Sequence, residues 1–254
     1  MSTIGEFAKA AGKQFNRALR HAGVELVRGG PAPFVNFKDY IPFAKTIAAA
    51  KASGMSVGDH VDAKYNVPGA TSETIDRLRA AGVLDESVRR ICEIGPGTGR
   101  YLERTIAVCR PQDYQIYETA VQWRDYLVGK YPVVAQPADG MTLSATASGS
   151  VDLAQAHKVF PGIPLLATIR YLKEFVRILG PHGRAVFDVV TEPCMDDETI
   201  ASWLGSSAAY EFYPSMMPRQ YVIDFFRRRG FSLTTSFVVA MEPGSTECFA
   251  FRRE

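Results

Sequence analysis

At 254 residues, 46% apolar and 22% charged, the chain carries enough apolar material for one large core, which excludes bulk disorder. Its 29 basic and 27 acidic residues leave a net charge of +2, too slight a basic excess to point to a nucleic-acid partner. No apolar run approaches the roughly 18 residues of a membrane-crossing helix, and the stretch from Met1 to Gly12 has no apolar signal core, so a cytoplasmic protein without a membrane span is expected.

In chain order, Phe7, Ala10, Ala11, Phe15, Ala18 and Leu19 recur at three- and four-residue steps and predict an amphipathic helix. Gly29-Gly30-Pro31-Ala32-Pro33 breaks it. A second helix is expected over 40–52, ending before Gly54, and a third over 72–81, capped by Thr71 or Ser72 and closed by Gly82. From Val88 onward short apolar runs alternate with helical patterns. Strands are predicted at 90–94, 114–117, 133–136, 150–156, 184–190, 232–241 and 247–252. Helices are predicted at 100–109, 121–130, 164–179 (stopped by Gly180-Pro181) and 219–229. Such alternation implies a mostly parallel sheet covered on both faces, and the final strand-turn-strand through Glu242-Pro243-Gly244-Ser245 adds an antiparallel edge. The basic runs Arg227-Arg228-Arg229 and Arg252-Arg253 read as solvated surface. Cys92, Cys109, Cys194 and Cys248 form no C-x-x-C pair, so neither a structural zinc site nor a disulfide framework is expected.

The strand at 90–94 runs into Glu93-Ile94-Gly95-Pro96-Gly97-Thr98-Gly99 and then a helix. A strand that turns sharply into a helix needs positive φ angles and close backbone approach, which glycine permits, and the exposed N–H groups at the helix start face a ligand. Spacing identifies the ligand. The dinucleotide fingerprint G-x-G-x-x-G would require glycine where Arg100 stands; here the glycines fall at 95, 97 and 99. Glu118 ends the second strand, where a carboxylate in doubly wound folds accepts from ribose hydroxyls. Asp139-Gly140 follows the third strand and reads either as a nucleobase contact or as an Asp-Gly turn.

The run Arg90-Ile91-Cys92-Glu93-Ile94-Gly95-Pro96-Gly97-Thr98-Gly99-Arg100 resembles motif I of the class I S-adenosylmethionine (SAM)-dependent methyltransferases. Val151-Asp152-Leu153-Ala154-Gln155-Ala156-His157 resembles their fourth-strand motif, and Gly180-Pro181-His182-Gly183-Arg184-Ala185-Val186 the turn into their fifth strand. Gln115-Ile116-Tyr117-Glu118-Thr119-Ala120, together with Tyr213-Pro214-Ser215-Met216-Met217-Pro218-Arg219-Gln220, is similar to methyltransferases of bacterial sugar and glycolipid gene clusters. The likeness covers 88–254. It implies an α/β, doubly wound, seven-stranded, mostly parallel sheet with an antiparallel edge strand, preceded by a helical extension or lid over 1–87. It further implies SAM as methyl donor, S-adenosylhomocysteine (SAH) as product, and a small-molecule, saccharide or glycolipid acceptor methylated on oxygen. Around the cofactor it places Glu93, Gly95, Pro96, Gly97, Gly99, Glu118, Thr119, Asp139 and Gly140.

The acceptor side rests on residue chemistry. Methyl transfer is an in-line displacement, so the protein positions the acceptor and removes its proton. His157, at the carboxyl end of the fourth strand, is the candidate base, and Lys158 the candidate orienting cation. His182, in a Pro-His-Gly turn, reads as structural. Tyr65 and His60 lie before the glycine loop, where a lid is expected. Asp188, Thr191 and Glu192 end the fifth strand within reach of an acceptor, and Tyr213, Met216 and Met217 offer an adaptable pocket wall or plain core packing. Asp152 opens its strand rather than closing it, so no metal site is expected. N- or C-methylation, a SAM-binding protein without catalysis, and a dehydrogenase are the alternatives. The helical first eighty residues cap the acceptor pocket or pair two copies of the chain as a homodimer; periodicity does not choose.

Overall fold

In the computed structural model, which describes residues 41–205, 214–241 and 244–254, the strand-helix alternation folds into one sheet of seven described strands. These are β1 (Arg90–Ile94), β2 (Asp113–Tyr117), β3 (Val134–Ala135), β4 (Val151–Ala156), β5 (Leu179–Val189), β6 (Phe231–Ala240) and β7 (Ser245–Arg253), in the order β3-β2-β1-β4-β5-β7-β6. Neighbours from β3 to β5 are parallel. β7 runs antiparallel between β5 and β6, so the reversed strand sits one place in from the margin. The chain winds outward from β1 to β3 and then crosses back to β4, which puts the switch in direction between β1 and β4.

Eight described helices accompany the sheet: α1 (Phe43–Ser53), α2 (Val57–Tyr65), α3 (Ala70–Ala80), α4 (Arg100–Cys109), α5 (Val121–Lys130), α6 (Leu165–Ile178), α7 (Asp197–Gly205) and α8 (Arg219–Arg227). Burial follows helical spacing. Along α6, Thr168, Tyr171, Leu172, Phe175 and Ile178 are buried, and along α4, Tyr101, Leu102, Thr105 and Cys109. Each strand alternates between two cores. Leu153 and Val186 pack with Leu78 of α3 and Leu102 of α4 on one face, whereas Ala154 and Phe187 pack with Phe175 of α6 and Phe226 of α8 on the other. Phe187 anchors the second core, with ring centroids 5.5 Å from Phe226, 6.0 Å from Phe249 and 6.1 Å from Phe251.

Several elements differ from the sequence expectation. The helix predicted at 72–81 starts at Ala70, and its cap is Gly69 at φ +85°. Thr71 is spent elsewhere, its hydroxyl donating to Asp62 at 2.6 Å. α2 was not foreseen because it has no apolar stripe: Gly58, Val61 and Asp62 are its buried residues. Polarity starts it instead, the Ser56 hydroxyl accepting from the Asp59 N–H at 3.1 Å. α7 was not foreseen either; it opens on Asp197 and Glu198, with only Thr199 and Trp203 buried. The third strand shrinks to two residues, and the fifth begins five residues earlier, at Leu179, with a register shift against β4 between Val151 and Leu153. His182 sits in that early stretch, exposed and at φ +59°. The helix read from Phe7 to Leu19 lies outside the described residues.

α1 is held to α5 by aromatic contact, Phe43 meeting Trp123 edge-on at 4.9 Å, while Trp123 Nε1 donates to the Ile41 carbonyl at 2.8 Å. No described helix is long and apolar enough to cross a membrane.

Candidate functional site

Open α/β sheets gather ligands outside the carboxyl ends of their strands at the switch point, and the glycine loop lies there. Gly95, Gly97 and Gly99 adopt φ of +58°, +53° and +82°, angles that L side chains avoid. Packing fixes the first and third. A Cβ on Gly95 would stand 2.8 Å from Val159 Cγ2, and one on Gly99 would stand 2.6 Å from Leu127 Cδ2. At Gly97 the nearest heavy atom would be 3.9 Å away, so its outer side is open to a ligand. Pro96 is buried beneath this turn.

Glu118, just past β2, closes the loop. Its Oε2 accepts from the Gly97 N–H and its Oε1 from the Ala120 N–H, each at 2.8 Å. Burial raises its pKa while those amides oppose the rise. Thr119 follows, half-buried, and its Cγ2 is the nearest atom, at 3.9 Å, to a Cβ built on Gly140. Asp139 makes a turn: Oδ1 accepts from the Met141 and Thr142 N–H groups at 2.7 Å each, and Oδ2 accepts from the Thr142 hydroxyl at 2.6 Å. Burial raises its pKa, but these bonds hold it below the ordinary carboxylate value.

Glu93 sits in a different place from the other cofactor candidates. Its carboxyl is sealed under the loop, where it meets Tyr114 OH at 2.5 Å, and Gln155 Nε2 donates to the same hydroxyl at 2.8 Å. Burial pushes its pKa up to about 7, against the opposing pull of Tyr114 and Gln155. Through this network Glu93 braces β1 against β2 and β4.

On the β4 side, His157 is buried and its imidazole lies flat on Tyr101 of α4, centroids 4.1 Å apart and planes 9° apart. Burial pushes its pKa down to about 4, so it is neutral at pH 7. Its Nε2 is buried without a hydrogen-bond partner among the described residues. Lys158 follows at φ +58°, a strained angle for a side chain of this kind. Its Nζ lies 2.5 Å from Thr246 Oγ1 and 3.3 Å from Asp188 Oδ2, so the ammonium leans toward β7. Asp188 Oδ1 accepts from the Lys158 backbone N–H at 2.6 Å.

Other expected acceptor residues separate. Met216 is exposed on the stretch that bridges to Val190, whereas Met217 is buried in the core beside Val222 and Phe225. Glu192 Oε2 accepts from the Arg219 N–H at 3.0 Å and so caps α8, a bond that lowers its pKa. Tyr65 is half-buried at the end of α2, with Lys64 over its ring. Tyr213 lies outside the described residues. Asp152 accepts from the Arg89 and Arg90 N–H groups at the opposite end of β4 from the loop. Among the described residues no group of three His, Cys, Asp or Glu could hold a metal ion.

Sequence reasoning missed how much Arg100 does. Its guanidinium donates to Asp62 at 2.7 Å, and Asp62 also accepts from Thr71 and from Asn66. This buried cluster ties α2 and α3 to the first residue after the glycine loop. The signal was present, since a long cation directly after the third glycine has to meet a partner or water.

No protein-family model matches the chain, and no curated protein does. Solved structures do resemble it. A (4+2)-cyclase superposes with a TM-score of 0.59 at 13% identity, covering 89% of this chain and 99% of that one. The magnesium protoporphyrin IX methyltransferase of Synechocystis PCC 6803, solved with SAH bound, gives 0.56 at 11% identity over 85% of this chain and 98% of that one. An O-methyltransferase family protein from Burkholderia thailandensis gives 0.57 at 13% identity over 87% of this chain but only 64% of that one. At such identities the likeness carries the fold: the protein has the class I methyltransferase architecture. A cyclase on the same fold is a reminder that the reaction is decided by the site.

Proposed function

We propose that the protein is a SAM-dependent methyltransferase acting on a hydroxyl of a small molecule or saccharide. One observation carries this reading: three positive-φ glycines at the β1/β4 switch point, with Glu118 bonded across them to Gly97. The residues present suit the cofactor. Gly97 leaves its outer side open, and Glu118 offers a buried carboxylate at the end of β2, suited to two ribose hydroxyls. Asp139-Gly140 and Thr119 flank that place, on the side where the nucleobase would lie. Bound there, SAM supplies an electrophilic methyl group on a positively charged sulfur.

The chain's own residues then have two tasks, to hold the acceptor and to take its proton. His157, neutral at pH 7, is the base in this reading, and Lys158 and Asp188 hold the turn that carries it. Met216 and Tyr65 would line the acceptor's approach. Four unpaired, buried thiols are in keeping with a reducing, cytoplasmic setting.

A second reading, N- or C-methylation of a metabolite, draws on the burial of His157 for its N-methylation branch, because a neutral amine attacks through its own lone pair and needs less help from a base. The test is a transfer assay with methyl-labelled SAM against sugar, glycolipid, phenol and amine acceptors. Label on a hydroxyl supports the first reading, and label confined to amines or carbon supports the second. No transfer together with no SAH binding overturns both.

A further inference from the structure

Beyond β4 the chain passes through Lys158, held at φ +58°, and returns to right-handed backbone at Val159. Left-handed backbone is strained for a lysine and persists only where the surroundings impose it. Here one carboxylate imposes it from two directions. Asp188 Oδ1 accepts from the Lys158 N–H at 2.6 Å, and Oδ2 lies 3.3 Å from the Nζ of the same residue. The ammonium is steadied further by Thr246 Oγ1 at 2.5 Å and by the Ala240 carbonyl at 3.4 Å. Asp188 itself is buried.

The reversal at Lys158 seats the next side chain on the glycine loop. A Cβ on Gly95 would stand 2.8 Å from Val159 Cγ2, 3.6 Å from Cγ1 and 3.9 Å from Cβ, so the isopropyl group fills the place of the side chain that Gly95 lacks. The Gly95 N–H donates to the Tyr117 carbonyl at 2.9 Å. Gly95 is thus fixed by a hydrogen bond to β2 and by contact with Val159, two residues before Gly97 and its open outer side. On the far side of Val159, Phe160 is locked into the core, its ring 5.7 Å from that of Phe187.

We propose that Asp188 is a positioning residue for the cofactor loop: by holding Lys158 in its left-handed turn it keeps Val159 seated against Gly95, and so sets the backbone that receives SAM. The inference rests on the SAM-binding reading for its ligand, but the loop geometry is tested without one. Close-packed interiors pass a displacement on to the next contact. Val159 has the Gly95 main chain against it, so releasing the turn moves the loop. Phe160 keeps its anchor when the turn is released, which limits the consequence to a partial loss of affinity.

The test has a ligand-free arm and a binding arm, both on the full chain. In nitrogen-labelled protein, Asp188→Ala should displace the Gly95 amide signal. Adding Lys158→Gly should return it, because glycine takes this backbone angle unaided and leaves no ammonium without its partner. Calorimetry with SAH should show binding about 5- to 10-fold weaker in Asp188→Ala and most of that loss recovered in Asp188→Ala/Lys158→Gly. Val159→Ala should weaken SAH by a similar factor, and Asp188→Ala should then add nothing to it, since both changes act at one contact. An unmoved Gly95 signal in Asp188→Ala overturns the inference. So does an unchanged SAH affinity in Val159→Ala, or losses that multiply when the two changes are combined. If Asp188→Ala does not fold, Asp188→Ala/Lys158→Gly decides: a wild-type Gly95 signal supports the inference and a displaced one overturns it. No SAH binding by the wild type would fail the SAM reading, while the Gly95 signal still decides whether Asp188 holds the loop.

Discussion

On the β2 side of the switch point, both oxygens of Glu118 meet main-chain amides at 2.8 Å, and all of Asp139's bonds stay inside its own turn. On the β4 side, His157 and Asp188 are buried with atoms left unpaired, and the groups that shape them come from α4 and β7. One half of the site is thus made of backbone with a carboxylate to close it. The other is made of side chains that depend on distant elements. The first half is complete and tolerant of surroundings; the second is sensitive to every neighbour, because an unsatisfied buried polar group costs about 1–3 kcal/mol.

The largest effect is expected where α2 and α3 are tied to the residue that follows the glycine loop. Asp62→Ala removes the carboxylate that Arg100, Thr71 and Asn66 share. Breaking such a buried pair costs about 3–5 kcal/mol, which should lower the melting temperature by about 10 °C. An unchanged melting temperature would mean that α2 and α3 are not anchored through Arg100.

Next comes Glu93→Gln, which probes the floor beneath the backbone half. Burial raises the Glu93 carboxyl to about 7 from 4.5, so the folded state holds its proton more tightly than the unfolded chain. Its contribution is full below pH 4.5 and is lost as pH rises through 7. The glutamine variant should therefore match the wild type at pH 4 and exceed it by about 3 kcal/mol at pH 8. Parallel stability curves across that range would show that Glu93 carries no raised pKa.

Glu118→Ala tests the backbone half itself. Removing the carboxylate suited to two ribose hydroxyls should weaken SAH binding about 10- to 100-fold, roughly 1.5–3 kcal/mol, and, because the Gly97 and Ala120 amides lose their acceptor, should also lower fold stability by about 1–3 kcal/mol. Equal affinity in calorimetry would remove Glu118 from the cofactor site. The smallest effect belongs to the rim: Met216→Ala should raise the acceptor's KM by about 3- to 10-fold, roughly 1 kcal/mol of apolar contact, and leave the KM for SAM alone. A shift in the KM for SAM instead would place Met216 on the wrong side of the comparison.

The same contrast explains what could be read from the chain beforehand. β1, α4, α5 and the three glycines were legible because local rules govern them: apolar runs, helical spacing, and a backbone angle that only glycine takes readily. Glu118 was legible from its place at a strand end. α2 was not, because it is held by Ser56 and by Asp62, whose partner Arg100 is 38 positions along the chain. The division between Met216 at the surface and Met217 in the core was hidden for a related reason. It depends on where the segment meets Val190, since the Met217 N–H donates to the Val190 carbonyl at 2.8 Å. Likewise, that Glu93 faces Tyr114 and Gln155 instead of the open crevice follows from strand register, which no single run of residues specifies.

The loop from Gly95 to Gly99 and Glu118 are expected to form a SAM site and not a dinucleotide site. Titration calorimetry of the full chain with SAH and, separately, with NADH tests it most directly. Saturable binding of SAH at one site per chain with no binding of NADH is the expected result; NADH binding without SAH binding would contradict a SAM site.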